Sequence, residues 1–416
     1  MKNILILGAG TGGTLISNLL TRRLDQNEWK VTIIDKSDTH LYQPGFLFLP
    51  FKLYGYNDKS DVSKPIRKPL PEKANFVQAD VNHIDYKGKK VETSQGSFEY
   101  DFLVLAMGCH IEPKEVSGLA ENMGRNAFNF YTLDGAMDLQ KKLSEMKEGR
   151  LVLNLVEMPI KCPVAPIEFV FLADYFLQKK NIRDRFEITF VTSLSGAFTK
   201  PKANEVLSKF IEEKGIKTVP NFNIESVDGD SGKIKSFQGD SVDYDLLVSI
   251  PPNLGPAVIE SSGLGEGSGY AVTDPHSLKV KIGDSIYAIG DNTNVHTSKA
   301  GSVAHFEAEV VVENILREIE GKEPLENFDG HSNCFIESGF HKALLIDFNY
   351  DVQPLKGNFP FPGVGPFSLL EESTLNHWGK MGFKWIYWNL LLTGHLPGDP
   401  ILPSHMSMSG KESQGD

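Results

Sequence analysis

The chain has few cysteines, no long apolar run and no excess of positive charge. Its 416 residues include three cysteines, an odd and small number that excludes a structural disulfide framework. No stretch of eighteen uncharged apolar residues occurs, so the sequence predicts no membrane-spanning helix. The formal net charge is −12, whereas nucleic-acid binding requires a positive surface. We therefore expect a globular protein without a nucleic-acid partner.

The N-terminus leaves no room for a signal peptide. Met1, Lys2 and Asn3 run directly into the apolar residues 4–7, which are typical of a buried first strand. We therefore expect no signal peptide and a soluble or peripheral protein on the cytoplasmic side of a membrane.

A glycine motif follows this first strand. Gly8, Gly10 and Gly13 stand in the spacing that permits a tight turn, a close approach of the backbone to a pyrophosphate and the packing of a helix on a strand. Asp35 ends the next predicted strand and is placed to bind ribose hydroxyls. The motif predicts a dinucleotide site, and a mere tight turn is the weaker interpretation.

A second cofactor signal lies far along the chain. Gly290 and Asp291 end an apolar strand just before a helix predicted to begin near Gly301, and the carboxylate of Asp291 is suited to hold a ribityl hydroxyl. Gly108 ends another buried strand in a small-residue turn. Together with the glycine motif, these residues predict FAD as the cofactor. Lys299 is a candidate to stabilise reduced flavin, or else a solvated loop charge.

A second nucleotide loop is missing where the fold would place it. The strand predicted at 151–156 is followed by residues 157–168, which contain no glycine and three prolines. Proline removes amide donors, so this segment cannot hold a pyrophosphate as a glycine loop does. Cys162 lies in its middle, beside a predicted helix N-terminus that would lower the pKa of the thiol. The pattern predicts that electrons enter through sulfur rather than from a nicotinamide.

Two cysteines form the predicted redox pair. Cys162 would pair with Cys334, which follows a polar, turn-like stretch in the C-terminal part of the chain. Glu168 is a candidate proton acceptor or simply an acid in the first turn of its helix. Cys109 more plausibly fills a tight turn near the cofactor. The histidines show no metal-ligand spacing, so no metal site is predicted.

The order of predicted elements indicates an α/β fold with two tandem Rossmann-like dinucleotide-binding domains and a C-terminal membrane-associating region. The predicted divisions are 1–110 with 265–325 for the FAD-binding domain, 111–264 for the second Rossmann-like domain, and 326–416 for the C-terminal region. The polar tail after Ser404 is predicted to be disordered.

The segment 374–392 combines three of the chain's four tryptophans with interleaved lysines. The predicted apolar side of this helix consists of Leu375, Trp378, Met381, Trp385 and Leu392, and the polar positions are Asn376, Lys380, Lys384 and Asn389. Such a helix suits a membrane interface, with rings at headgroup depth and lysines toward phosphates. The alternative is a helix docked on the protein's own core or on a partner in a homo-oligomer.

Taken together, these motifs resemble the sulfide:quinone oxidoreductase family of flavoproteins, which share the plan of pyridine nucleotide-disulfide reductases. The resemblance covers nearly the whole chain. It rests on the segments 8–13, 162–168, 290–291 with Lys299, 334–335 and the aromatic C-terminus.

The resemblance implies an enzyme that oxidises sulfide to sulfane sulfur or polysulfide through Cys162, Cys334 and FAD. It implies non-covalent FAD, because no cysteine stands near Tyr42, where the related flavocytochrome c sulfide dehydrogenases attach their flavin. The family suggests that Cys334 attacks the flavin, without settling the choice. Residues 111–150 lack the third cysteine that many members carry, which leaves the sulfur acceptor and product length open.

Electrons would pass to a membrane quinone held near the aromatic C-terminus. Phe335 and Phe383 are candidates to sandwich the quinone ring, and Lys380 is a candidate to deliver protons. We expect truncation before Thr374 to release the protein from membranes without impairing the sulfur chemistry. The alternatives are a sulfane-sulfur carrier or sensor without steady quinone turnover, and a type II NADH:quinone dehydrogenase.

Overall fold

A computed structural model describes residues 1–360, 365–396 and 404–412. Two parallel five-stranded sheets form its frame, and their central strands are almost wholly apolar because helices or further strands cover both faces. In spatial order, the first sheet contains Ile286–Ala288, Phe102–Leu105, Lys2–Leu7, Trp29–Asp35 and Asn75–Gln78.

The second sheet repeats this plan around the strand Gly149–Leu155. In spatial order it contains Ala127–Phe128, Leu246–Ile250, Gly149–Leu155, Phe186–Thr192 and Lys217–Val219. A three-stranded antiparallel sheet accompanies each parallel sheet. The strands are Val81–Asp85, Lys90–Thr93 and Gly96–Glu99 in the first, and Ile224–Asp228, Lys233–Ser236 and Ser241–Asp243 in the second. The predicted α/β class with parallel sheets is confirmed.

In the part of the chain that the structure describes, eight α-helices connect or cover these sheets. They are α1 (Thr11–Arg23), α2 (Leu119–Asn122), α3 (Leu133–Glu145), α4 (Ala165–Lys179), α5 (Pro201–Glu213), α6 (Ala257–Ser261), α7 (Gly301–Ile319) and α8 (Thr374–Ile386). None of the helices in the described ranges is long and apolar enough to span a bilayer.

A separate four-stranded sheet follows α7. Its strands in spatial order are Ser332–Gly339, Lys342–Phe348, Phe367–Leu369 and Gly357–Phe359. The first of these strands packs against α4, and α8 packs across the same sheet. Two short strand pairs, Thr39–Leu41 with Ser63–Pro65 and His110–Ile111 with Asn253–Leu254, complete the described sheets. This sheet therefore carries Cys334 to the helix that follows the Cys162 turn.

The chain beyond Ser404 is ordered over 404–412, so the prediction of a disordered tail is wrong for that range. Backbone hydrogen bonds join Asn358 to Gly410 and Glu412 to Lys356. Lys411 is almost fully buried, and its Nζ lies 2.6 Å from a carboxylate oxygen of Asp347. A buried ion pair and backbone hydrogen bonds thus anchor a segment whose polar composition indicates disorder.

Helix α8 differs from the sequence-based prediction at two of its polar positions. Asn376 and Lys380, assigned to a polar side facing phosphates, point into the protein, and Asn376 is fully buried. Leu375, Trp378 and Trp385 are about half or more exposed, at 48, 61 and 61%. Lys380 pairs with a buried carboxylate and Asn376 donates to two backbone carbonyls, while the apolar side of the helix stays outward.

Candidate active site

The glycine turn after the first strand has the geometry that nucleotide binding requires. Gly8 has a φ of +99°, and a Cβ on Gly8 would overlap the carbonyl of Ala106. A Cβ on Gly13 would overlap the carbonyl of Gly8, which explains the close packing of α1 on the strand. A Cβ on Gly10 would meet nothing within 4 Å. Two glycines therefore serve packing, while Gly10 faces open space.

Asp35 lies beside this turn at the end of its strand. Its carboxylate accepts hydrogen bonds from the Ala9 amide at 2.7 Å and the Ser37 amide at 2.8 Å. The two amides fix the carboxylate next to the glycine turn, where a dinucleotide ribose would lie.

The C-terminal part of the chain also contacts the glycine turn, a contact that sequence reasoning missed. The Tyr387 hydroxyl lies 2.9 Å from the Thr11 hydroxyl and 2.7 Å from Nε2 of His40. His40 in turn contacts the Ala9 carbonyl through Nδ1 at 3.0 Å, and burial lowers the pKa of His40 to about 4. No local pattern signals a contact between residues so far apart in sequence.

The second predicted cofactor turn, at residues 290–292, packs against α7. Gly290 has a φ of +72°, and its amide donates to the buried carboxylate of Glu307 at 2.6 Å. Burial raises the pKa of Glu307 to about 8. Burial also raises the pKa of Asp291, while the nearby charge of Lys299 opposes that rise. Among the described residues, none makes a hydrogen bond to the Asp291 carboxylate, so it can accept one from a ligand.

Lys299 joins the cofactor turn to the cysteine turn. Its buried Nζ donates to the Thr293 carbonyl at 2.6 Å, and its own carbonyl accepts the Cys162 amide at 2.7 Å. Because Cys162 has a φ of +50° and its carbonyl accepts the Ala165 amide at 2.9 Å, the backbone holds the thiol in a tight turn before α4. This turn occupies the position of a second nucleotide loop.

Cys162 and Cys334 are electrostatic neighbours within one buried cluster. A negative charge on Cys162 raises the pKa of Cys334, and Glu168 and Lys380 act on both thiols with opposite signs. Glu168 forms a buried ion pair with Lys380 and accepts the Glu337 amide at 2.6 Å. The structure therefore brings together four of the predicted site residues, with both cysteines as free thiols.

The prediction that the helix N-terminus lowers the pKa of Cys162 is wrong. Burial, followed by the charge of Glu168, raises the pKa of Cys162 to about 12, against the opposing effect of Lys380. Burial also raises the pKa of the Cys334 thiol. The cost of desolvating a thiolate outweighs the helix end, since Cys162 lies three residues before the helix begins.

Cys109 lies on the cofactor side of the same region. Its sulfur is 3.7 Å from the Asn253 side-chain oxygen, which also accepts the Lys161 amide at 3.1 Å. Burial, and then the charge of Asp291, raises the pKa of Cys109 to about 12. All three cysteines thus lie near the predicted flavin position, although only two were predicted to react.

The two predicted quinone-sandwiching rings have different neighbours. The Phe335 ring packs edge-on against Phe367 with centroids 5.4 Å apart, and the Phe383 ring lies 6.3 Å from that of Tyr387. Within the described ranges, no ring contact joins Phe335 to Phe383. Lys380 donates to the Phe335 carbonyl at 3.0 Å, so it lies on the Phe335 side.

The residues fit an FAD. Open space over Gly10, and over Gly108 with its φ of +69°, leaves room for a ligand against the backbone. The free acceptor of Asp291 and the positive end of α7 would suit the ribityl chain and the pyrimidine edge of a flavin. Among the described residues, no cluster of three His, Cys, Asp or Glu side chains could hold a metal ion.

The chain is similar over nearly its whole length to proteins named sulfide:quinone oxidoreductase. The chain is 28% identical to the mitochondrial sulfide:quinone oxidoreductase of Dictyostelium discoideum, covering 97% of this chain and 88% of that protein. It is 25% identical to the mitochondrial enzyme of the same name from Mus musculus, covering 98% and 90%. The sulfide:quinone oxidoreductase structure from Aquifex aeolicus shares the fold, with a TM-score of 0.77, 21% identity and coverage of 94% and 92%. No family model matches the chain.

These relatives confirm the resemblance to the sulfide:quinone oxidoreductase family. They also confirm the prediction of an oxidoreductase with a dinucleotide-binding fold.

Substitutions of Gly10 and Gly13 should separate ligand binding from packing. In Gly13→Ala, the overlap with Gly8 should destabilise the apoprotein by roughly 1–3 kcal/mol. In Gly10→Ala, the apoprotein should keep its stability, because the new methyl group meets only open space, but should retain less FAD. Urea unfolding of the apoproteins and visible flavin absorbance after reconstitution measure the two effects. Full FAD retention by Gly10→Ala would place the cofactor elsewhere.

The charge of Glu168 can be tested through thiol reactivity. Because its carboxylate raises the pKa of both thiols while Lys380 lowers it, Glu168→Gln should lower the pKa of Cys162 and Cys334. Alkylation of the reduced protein, followed for each cysteine by peptide mass spectrometry, should then reach its plateau at lower pH. Glu157→Gln removes an exposed charge from the same segment and should leave both profiles unchanged. An unchanged pH dependence of alkylation in Glu168→Gln would contradict the claim that the charge of Glu168 acts on both thiols.

Proposed function

We propose that this chain oxidises sulfide through Cys162, Cys334 and FAD and passes two electrons to a membrane quinone. The observation that carries the proposal is the partly buried cysteine pair, of which Cys162 lies in the turn at the place of a nucleotide loop. The backbone bond from Cys162 to Lys299 ties the pair to the turn that carries Asp291. The similarity to proteins named sulfide:quinone oxidoreductase supplies the substrates.

The sulfur chemistry is a thiol–disulfide exchange followed by oxidation. Hydrosulfide attacks one sulfur of the oxidised Cys162–Cys334 pair, the S–S bond breaks, and the products are a persulfide and a thiolate. Loss of two electrons and one proton joins these as a trisulfide, from which the added sulfur passes to an acceptor. Non-covalently bound FAD would accept the two electrons and transfer them to the quinone.

Glu168 and Lys380 have complementary roles in this scheme. The positive charge of Lys380 favours the thiolate, whose pKa burial raises. Burial likewise raises the pKa of Glu168, which makes its carboxylate a better proton acceptor. Lys299, buried beside Asp291, would stabilise negative charge on the cofactor side.

The outward side of α8 would meet the membrane. The exposed positions 375, 378, 382, 385 and 389 recur every three or four residues, so they form one stripe along α8 and the π-helical turn that follows. Tryptophan at such a stripe suits the headgroup region, and a peripheral protein would meet a lipid-soluble quinone there. Phe335 and Phe383 remain the candidates for contact with its ring.

The carrier alternative rests on the absence of a cysteine from residues 111–150. A sulfane-sulfur carrier would bleach its flavin once with sulfide and would not sustain reduction of a quinone analogue. Sustained reduction would exclude the carrier.

Sulfide should bleach the flavin of the intact protein under anaerobic conditions, whereas NADH should not. Cys162→Ser and Cys334→Ser should each abolish the bleaching while retaining FAD, because each removes one half of the exchanging pair. Cys109→Ser is the matched control and should keep most of the response. Bleaching by NADH alone would favour the NADH dehydrogenase, and bleaching in either serine variant would remove that cysteine from the reaction.

The contacts of α8 lead us to expect that truncation before Thr374 would impair the sulfur chemistry, contrary to the expectation from sequence. Such a truncation removes Lys380 from Glu168 and Tyr387 from the glycine turn. Point substitutions on the exposed stripe are the cleaner test.

The double variant Trp378→Ser with Trp385→Ser should bind anionic lipid vesicles at least about tenfold more weakly, since it loses two interfacial rings. Bleaching by sulfide should not change, because both rings point away from the cysteine pair. Phe237→Ser is the control, because Phe237 is an exposed ring on the small sheet of the second domain. Vesicle co-sedimentation measures binding, and equal binding by the double variant would assign the stripe to another contact.

A further inference from the structure

A buried glutamate on the strand of Cys334 is part of a polar cluster that reaches the surface. Glu337 is fully buried, and its carboxylate oxygens lie 3.0 and 2.9 Å from Nδ1 of His377, which is also buried. The Tyr54 hydroxyl donates to the same carboxylate at 3.0 Å. His341 Nδ1 lies 3.4 Å from Nε2 of His377, and His341 is exposed.

The contacts set the tautomer of His377. Nδ1 faces a carboxylate, so it carries the hydrogen, and Nε2 is left as an acceptor toward His341. An imidazole in this arrangement can accept a proton at Nε2 from the solvent side and release one from Nδ1 to Glu337. One proton could thus pass inward through the ring, which must return to its starting tautomer before the next transfer.

The inner end of this cluster adjoins the sulfur site. The Glu337 amide donates to Glu168, and the charge on Glu337 contributes to the raised pKa of Glu168. His377 and Lys380 are one helical turn apart on α8, and the two contact Glu337 and Glu168 respectively. The two carboxyl groups are thus neighbours, one belonging to each cluster.

We propose that His341, His377 and Glu337 form a proton path from solvent to the Glu168–Lys380 pair. The proposal rests on the proposed function, whose stoichiometry requires such a path. A quinone takes up two electrons and two protons, whereas hydrosulfide releases two electrons and one proton on oxidation to sulfane sulfur. One proton must therefore enter from solvent in each turnover.

A purely structural role explains less of the geometry. Packing of α8 on the sheet needs only the buried contacts among Tyr54, Glu337 and His377. It does not need a second imidazole stacked edge-on against the first, with centroids 5.2 Å apart, and open to water. Tyr54 and Tyr175 are the titratable rings that flank His341, and neither blocks its exposed side. His341, His377 and Glu337 are positioning groups, since they reach the reacting atoms only through Glu168.

The outer residue is the best one to test, because His341 is exposed and its replacement should not affect folding. His341→Asn keeps a residue that tolerates its φ of +57° and removes the exchangeable imidazole. General acid–base groups contribute about 10²- to 10⁴-fold to rate. An outer group that water partly replaces should contribute about tenfold. Flavin reoxidation by a water-soluble quinone should slow by that factor, and bleaching by sulfide should not change.

Imidazole added to the buffer should restore reoxidation in His341→Asn, because it can occupy the exposed position and donate to His377. His83→Asn, at an exposed histidine on the small sheet of the first domain, is the matched control and should reoxidise normally. Normal reoxidation in His341→Asn, or slow reoxidation that imidazole does not restore, would overturn the proton path. Should sulfide fail to bleach the unaltered protein, the proposed function fails, and the path is then tested by quinone reoxidation of dithionite-reduced flavin.

Discussion

The ion pair between Lys380 and Glu168 is the contact on which the arrangement of the site depends. It joins α8 to α4, and through the Phe335 carbonyl and the Glu337 amide it also fixes the strand that carries Cys334. Removing one partner of such a pair leaves a buried charge and costs roughly 3–5 kcal/mol. The pair therefore constrains three elements at once and sets the charge that both thiols experience. Helix α8 is consequently part of the sulfur site and not an appended anchor.

The cysteine turn shows how a duplicated fold acquires a different chemistry. Both parallel sheets follow one plan, so the turn after Gly149–Leu155 occupies the position that the glycine turn occupies after Lys2–Leu7. In the first turn, glycines leave the backbone bare for a nucleotide. In the second, the backbone of Cys162 binds the carbonyl of Lys299. A backbone contact between the two halves takes the place of a ligand contact, and it brings a thiol to the cofactor side.

Sequence reasoning succeeded where the cause is local. The roles of Gly8 and Gly13 in the tight turn and in helix packing follow from backbone sterics within a few residues. Sequence reasoning failed where a pKa or the direction of a side chain depends on burial in the folded protein. The pKa of Cys162 rises because Glu168 and the surrounding core are close in space. Lys380 points inward because it pairs with the buried carboxylate of Glu168. The contact of Tyr387 with the glycine turn, and the anchoring of Lys411, likewise depend on residues distant in sequence.

The inward position of polar side chains on α8 follows from the same electrostatics. The inward side carries His377 and Lys380, and each finds a buried carboxylate, which offsets the cost of removing it from water. Three of the large apolar side chains are then left outward, since one helix cannot bury both sides. A helix that satisfies its polar groups inside therefore presents tryptophan outside. The exposed stripe and the charges that act on the cysteines thus lie on opposite sides of a single helix, so displacement of that helix would change both.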